Sequence, residues 1–202
     1  MGENTVSAEE KRSPGKLVLP ALVVSRFATQ PPGILTAILL VDIGLTFGTS
    51  VAVTGQIRTV SYVVGVVFAL LMGFLSIRFK HRSLLVVGLL FLSVTSLGCG
   101  FAPDFAVMLV SYSLWGVALA MISPMGITLV GEHFPREKRP SVIGWIIAGM
   151  AISYVVGAPV IGFIAGFGGW RLAFLGFALP VTLAGLLLAV KGIPTTSEGS
   201  RP

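Results

Sequence analysis

Charge is scarce in this chain. Only 11% of its 202 residues are Asp, Glu, Lys or Arg, against about 25% in a soluble domain. So little charge does not cover a globular surface, and with 54% hydrophobic residues and a mean hydropathy of +0.95 the chain's solvent is lipid. Cysteine is nearly absent. The single Cys99 ends an apolar run, so the chain forms no internal disulfide framework and suggests no metal cluster. Histidine is limited to His81 and His133, both in basic loops and read as solvated. Paired carboxylates, a Ser-His-Asp set, metal-ligand spacing and a phosphate-binding glycine loop are all missing, so neither an enzyme nor a cofactor is expected. The net charge of +6 would suit a nucleic-acid binder. The basic residues, however, sit in short clusters between apolar runs, as in membrane proteins, and no nucleic-acid partner is expected.

What the chain has instead is apolar runs of membrane length. Spans of about 20 residues with short connections divide it into about six helices, making an all-α membrane protein. The expected spans are 17–41, 54–77, 83–101, 105–130, 141–165 and 170–190. They are separated by a Gly/Thr-rich connection over 42–53, a basic turn over 78–82, Ala102-Pro103-Asp104, a second basic loop over 132–140, and Gly166-Phe167-Gly168-Gly169. Lys11, Arg12 and Lys16 precede the first run, as in a secretory signal. No small-residue cleavage pattern follows, and Arg26 and Pro31-Pro32 interrupt the run, so it is read as a retained, irregular membrane helix. The expected organisation is a tail over 1–16, a six-span domain over 17–190 and a tail over 191–202.

Lys and Arg set the orientation. They occupy the N-terminal tail, the turn between spans two and three (Arg78, Lys80, Arg82), the loop between spans four and five (Arg136, Lys138, Arg139) and the C-terminal tail (Lys191, Arg201). The alternate connections hold Asp42 and Asp104, with only Arg58 and Arg171 nearby. The positive-inside rule puts the basic segments in the cytoplasm. Both termini are then cytoplasmic, in a multi-pass protein of the cell membrane, and the number of spans is even. Charge and hydropathy agree on six from separate premises.

Short motifs sit on this frame. Gly73-Phe74-Leu75-Ser76-Ile77-Arg78-Phe79-Lys80-His81-Arg82 resembles the loop motif Gly-x-Leu-x-Asp-Arg-Phe-Gly-Arg-Arg of the major facilitator superfamily. Gly73, Leu75, Arg78, Phe79 and Arg82 match, whereas Ile77 replaces the Asp and Lys80 the second Gly. A generic basic turn explains the loop equally well. Span four and its exit, with Gly116 and Phe134-Pro135-Arg136-Glu137-Lys138-Arg139, resemble the family's Arg-x-x-x-Gly and Phe-Pro-x-x-x-Arg, but Tyr112 stands in place of the Arg. Tyr112, Gly116 and Ser123 share one helix face.

In span five, Gly149, Ser153 and Gly157 recur at four-residue spacing, which lets helix backbones approach closely. Gly157-Ala158-Pro159-Val160-Ile161-Gly162 resembles the Gly-Pro-x-x-Gly motif of drug/proton antiporters with one extra residue, and tight packing around a bend is expected there. Gly169-Trp170-Arg171-Leu172-Ala173-Phe174 matches the family's Gly-Trp-Arg-x-x-Phe at the start of span six; the alternative is an interfacial Trp with an Arg at the headgroups. The resemblance covers about residues 17–190 in the family's order. It implies one six-helix half of the family's two-part bundle, with Gly73, Arg78 and Arg82 in a gating loop whose charge-mediated latch lacks its Asp. It carries over no proton coupling at Tyr112.

Ionisable groups inside a membrane are costly and default to functional hypotheses. Arg26 lies near mid-span with Gln30 one turn on, just before Pro31-Pro32 removes two backbone donors. The favoured reading places Arg26 in an aqueous cleft, against an anionic group of a substrate or coupling site. If the span began near Gly33, Arg26 would be interfacial, but too few residues would remain before Asp42 to cross. Gln56 and Arg58 open span two. Arg58 either lines an outer mouth or snorkels to headgroups, with Asp42 an available partner. Tyr112 completes the cavity candidates.

The expected function is transport of an unidentified small solute by the alternating access of that family, as a half-length or truncated transporter. Its partners would be the lipid bilayer, the solute, and a second six-span half or a second copy. The alternative is a non-transporting scaffold, assembly subunit or inactive fragment, which has no use for Arg26, Gln30 or Arg58 facing inward. The topology is directly testable. Alkaline phosphatase fused after Asp42, Asp104 or Gly168 should be active, and fused after Arg82 or Lys138 inactive; inverted activities would overturn the orientation.

Overall fold

A chain in hydrocarbon must satisfy its backbone internally, and a helix does so within one segment. The computed structural model, which describes residues 17–194, is accordingly helical almost throughout, with no strand among the described residues. The tail expected over 1–16, and residues 195–202 of the second tail, lie outside the described residues. The first apolar run forms three short helices, α1 (Val18–Ala28), α2 (Pro31–Ile38) and α3 (Leu40–Phe47). Three long helices follow: α4 (Val51–Arg78), α5 (His81–Gly100) and α6 (Phe105–His133). After a 3-10 turn at Arg136–Lys138, α7 (Arg139–Ala173) passes through a π-helical stretch (Phe174–Ala178) into α8 (Leu179–Gly192). Ser50 and Asp104 start α4 and α6 by accepting from the amides of Val53 and Val107.

Six crossings result. α4, α5 and α6 are each long and apolar enough to span a bilayer, and the first run forms one further span bent by 65° before α3. The stretch from Arg136 to Gly192 has 57 residues. Straight, it would be about 85 Å long, nearly three hydrocarbon thicknesses. It breaks at Gly168 (φ −147°, ψ 21°) and Gly169 (φ 69°, ψ −173°). The second of these is a backbone conformation that only glycine adopts readily. The chain reverses there, so residues 139–167 form the fifth span and residues 170–192 the sixth.

Two connections differ from expectation. Asp42 lies inside α3 rather than in a loop, because the helix continues to bury Ile43 and Gly44. The connection shrinks to residues 48–50, with Gly48 ending α3 in the left-handed conformation (φ 64°). The last turn narrows to Gly168–Gly169.

Side-chain contacts give the directions. α5 and the sixth span run antiparallel in continuous register: Arg82 bonds the carbonyl of Val190, Ser93 bonds Thr182, Gly100 faces Leu175, and Arg171 bonds the carbonyl of Ala102. α7 runs parallel to the first span, with Gly149 against Val23, Ser153 bonded to the Phe27 carbonyl and Gly157 against Ile34. α4 meets α6 where Gly65 lies on Gly116. Arg78, Lys80, Arg82, Arg136, Lys138, Arg139 and Lys191 therefore collect at one end of the bundle, and the connections at 48–50, 101–104 and 168–169 at the other.

The glycines at these crossings are not equivalent. A Cβ on Gly116 would run into the backbone carbonyl of Ser61, which has nowhere to go, whereas one on Gly157 would meet only the side-chain ends of Ile34 (3.3 Å) and Phe177 (3.6 Å). Overpacking against backbone costs about 1–3 kcal/mol or more. Gly116→Ala should lower the melting temperature in detergent clearly, Gly157→Ala little, and Gly157→Leu should reduce folded yield. Equal melting of the two alanine variants would mean that α4 and α6 do not touch as described.

Candidate functional site

The site begins with a backbone problem. Pro31 and Pro32 carry no N–H, so the carbonyls four residues earlier, on Phe27 and Ala28, lose their helical donors. α1 stops at Ala28, and α2 restarts after Gln30. Freed carbonyls in lipid need donors from neighbouring helices. Phe27 receives the Gln30 amide (3.2 Å) and the Ser153 hydroxyl (3.1 Å). The Trp115 indole donates to the Thr29 carbonyl at 2.9 Å. The Tyr112 hydroxyl donates to the Pro32 carbonyl (3.3 Å) and lies 2.9 Å from the Thr36 hydroxyl. Spans four and five thus hold the break in span one.

This assigns two of the expected cavity residues to the scaffold. Tyr112 is fully buried and spends its hydroxyl on the break. Gln30 is buried too, and its amide donates to the Thr29 hydroxyl. The position that carries Arg in the family pattern here supplies a hydrogen bond to backbone.

Arg26 lies immediately before the break and is half-buried. Nη1 donates to the Ser123 hydroxyl and Nη2 to the Met150 sulfur at 3.2 Å. Both partners are neutral, and a thioether is a weak acceptor. A guanidinium has five N–H donors and a permanent charge, and no carboxylate pairs with it among the described residues. Ser123 reaches the other way as well. It lines a cleft of about 520 Å³ between α4 and α6, walled by Ala69, Met72, Gly73, Ser76 and Thr128, with His81 at its basic end. A pocket of about 260 Å³ beside Tyr62, Gly65 and Gly116 continues the groove toward the other end, sharing Ala69, Leu119 and Ala120 with the cleft. Gly65, Ala69 and Gly73 recur every four residues on α4, and their lack of bulk hollows out this face.

The remaining candidates are scattered. Gln56 is exposed. Arg58 donates to the Tyr62 hydroxyl one turn along α4 (3.3 Å), and it forms no pair with Asp42. Gly73 and Arg78 of the loop motif are exposed, while Arg82 binds a last-turn carbonyl of α8, a natural place for a cation. Gly149 and Gly157 sit in helix contacts; Pro159 and Gly162 are exposed, with open space beside Gly162. Trp170 is buried against the bundle. It bonds Thr46 at 3.0 Å, and Arg171 lies over its ring, 4.5 Å from the centroid, so this motif ties the non-basic ends of spans one, three and six together.

Neither histidine is a free loop side chain: His81 is partly exposed but paired, and His133 is buried. His81 Nδ1 lies 2.5 Å from a carboxylate oxygen of Glu132, the one ion pair among the described residues. His133 is buried and bonds the Leu129 carbonyl at 3.1 Å. His81, Ser123, Glu132 and Met150 are the site residues that sequence reasoning missed. The available signal was weak: Ser123 shares a face with Gly116, and Glu132 is the one acid at the end of span four.

A multi-span helical bundle with a polar-flanked cleft between two of its helices is the class of protein that the fold and site define. The chain belongs to the major facilitator superfamily: the Major Facilitator Superfamily family model matches residues 21–202. It is similar to the MFS-type transporter YhcA of Bacillus subtilis, at 31% identity over 64% of this chain and 24% of that protein. It is also similar to the niacin transporter NiaP of Acinetobacter baylyi, at 27% identity over 71% of this chain and 32% of that one, and to protein spinster homolog 3 of Danio rerio, at 30% over 76% and 31%. Among solved structures, the POT family transporter PepTSo superposes with a TM-score of 0.73 at 14% identity, over 92% of this chain and 39% of that one. A bacterial homologue of the lysosomal transporter Spinster, inward-facing and unoccupied, gives 0.68 at 17% identity over 92% and 45%. The chain thus spans less than half the length of these relatives, and its fold is that of half a transporter of this family. It is a multi-pass membrane protein whose relatives are carriers.

The support of the broken span can be measured. Interhelical hydrogen bonds in membranes average about 0.6 kcal/mol and reach about 1.7. Trp115→Phe and Tyr112→Phe should each cost an amount in that range by detergent or steric-trap unfolding, and the double variant more than either. A cost near zero for both would mean that the Thr29 carbonyl finds another donor and that Thr36, which also donates to the Pro32 carbonyl, suffices there.

Proposed function

We propose that this chain is one six-span half of a carrier that moves a small solute by alternating access, working with a second six-span half or a second copy of itself. The basic end faces the cytoplasm of a cell-membrane protein, following the positive-inside rule. The observation that carries the reading is Arg26. A permanent charge in mid-span, held only by a hydroxyl and a thioether and joined through Ser123 to a cleft, has the placement of a group awaiting an anion. Gly73, Ser76 and Thr128 extend this cleft toward the basic end, where a solute would leave or enter. The outward face of α4 supports the need for a partner. Only 11% of its most apolar window is buried, and a second half would cover part of it. The mechanism asks Arg26 to bind an anionic group of the solute or of a coupling site, and asks the small-residue face of α4 to move against α6.

The test uses position 26 itself. With Cys99 replaced by Ala, Arg26→Cys in native membranes is treated with a water-soluble maleimide, alongside the outward-facing Val155→Cys as a lipid control. Maleimide reacts with the thiolate, which needs water to form. Rapid labelling at 26, with almost none at 155, is the expected result. An unreactive thiol at 26 in a folded protein would remove the aqueous pathway and favour a non-transporting scaffold.

A further inference from the structure

Three hydroxyls and one imidazole line the cleft between α4 and α6. Ser76 and Thr128 donate to carbonyls of their own helices, those of Gly73 and Pro124, and His81 is taken up by Glu132. Ser123 differs. Its hydroxyl accepts from Arg26, and among the described residues it donates to no protein atom. A hydroxyl has one proton to give. With a lone pair turned to the guanidinium, that proton is left for the cleft, and the cation behind it strengthens the bond it can make.

The same arrangement recurs toward the other end of the groove. Tyr62 lines the adjoining pocket, and its hydroxyl accepts from Arg58. Its neighbour Ser61 lies level with Gly116, seven residues and about 10 Å along α6 from Ser123. Between the two hydroxyls the walls are Gly65, Ala69, Leu119 and Ala120. Pro124 has no N–H to give the Ala120 carbonyl, and both residues line the cleft, so one neutral backbone acceptor faces it as well. No carboxylate lines either pocket among the described residues.

These walls sort solutes. A sugar would leave most of its hydroxyls unpaired against them, which is costly. An ammonium would find a carbonyl but no counter-charge, and two arginines behind the wall would repel it. An anion with an apolar body meets a charge-backed donor and apolar surface together. Volumes of about 520 and 260 Å³ suit a small molecule. Arg26 is in mid-span, far from the headgroup level where an anionic lipid keeps its charge.

We infer that the α4–α6 groove selects a small, water-soluble organic anion with an apolar body, whose charged group is bonded by Ser123 while Arg26 supplies the charge from behind that hydroxyl. This rests on the carrier reading and narrows it. Ser123 touches the solute, and Arg26 acts through it. Tyr62, backed by Arg58, is a second station toward the non-basic end.

The experiment uses the full chain in native membranes opened by freeze–thaw, with Cys99→Ala and a reporter Ala120→Cys, since Ala120 lines both pockets. A water-soluble maleimide labels the reporter, and the concentration of each compound that halves the rate is measured. The compounds are benzoate, its neutral isostere benzamide, gluconate as an anion without an apolar body, and lysophosphatidylglycerol as an anionic lipid. Benzoate should protect at a concentration at least about tenfold below the other three, as a hydrogen bond to a charged group implies. Arg26→Gln should bring benzoate and benzamide together. Ser123→Ala should raise the benzoate concentration about tenfold, and Ser123→Thr should restore it. Labelling that is fast but protected equally by benzamide or gluconate, or better by the lipid, would overturn the inference and leave the carrier reading standing. A benzoate preference undiminished in Ser123→Ala would overturn it too. A reporter that stays unlabelled in the folded protein with no compound present would overturn both, because water would not reach the groove.

Discussion

Pro31 and Pro32 remove two backbone donors from the interior of the first span, and hydrocarbon offers no water to replace them. The freed Phe27 carbonyl takes the Gln30 amide and the Ser153 hydroxyl, and span four bonds the chain on either side of the break. Trp115 and Tyr112 on span four and Ser153 on span five each turn a polar group inward to the carbonyls of Thr29, Pro32 and Phe27. These bonds fix the rotation of both helices about their axes, and with it which residues each presents to its neighbours. Ser123 is about two turns beyond Trp115 on α6, and Met150 about one turn before Ser153 on α7. The two acceptors of Arg26 therefore come from the same two helices that support the break.

Close packing does the complementary work. Gly116 against Ser61 brings α4 and α6 together at one level, and the small residues Gly65, Ala69 and Gly73 leave a groove between them below it. Lipid gives no hydrophobic gain when helices associate, so contact depends on backbone approach and on bonds between helices. That explains why the tightest junctions are made by glycine and why polar side chains such as Ser93, Thr182 and Thr36 are spent between helices. At the non-basic end Trp170 and Arg171 close the bundle onto Thr46 and Ala102, and at the basic end Arg82 and Arg139 bind carbonyls of the last helical turns. The groove between α4 and α6 is left with polar groups along its length: Tyr62 with Arg58, Ser123 with Arg26, and His81 with Glu132.

Much of this fold was legible in the sequence. Six spans followed from apolar run length and from the alternation of basic connections, and the structure differs by a few residues at most boundaries. The misplacement of Asp42 is instructive: polarity and Gly/Thr content marked a loop, but Ile43 and Gly44 found a buried site, and α3 went on to Gly48. The Gly168–Gly169 turn was visible as a glycine cluster, and the backbone angles of Gly169 show why glycine stands there. The site was less legible. Arg26 stands out because a charge amid apolar residues is costly, whereas the places of Tyr112 and Gln30 on a helix face and of the two histidines in basic loops do not show the partners that hold them.

The difference has a physical origin. Transfer of each residue between water and lipid contributes nearly independently, and so does the orientation of each basic cluster. Run length, charge alternation and the costly Arg26 are therefore properties of the chain read in order, and the sequence by itself determined the membrane class and the spans. Pairings such as Arg26 with Ser123, Phe27 with Ser153 and His81 with Glu132 join residues 97, 126 and 51 positions apart. They depend on the rotation and register of each helix, which the glycine contacts and the broken first span settle jointly. Only the tertiary structure decided that Tyr112 supports a backbone break, that Ser123 links Arg26 to a cleft, and that two residues read as solvent-facing bases include half of an ion pair.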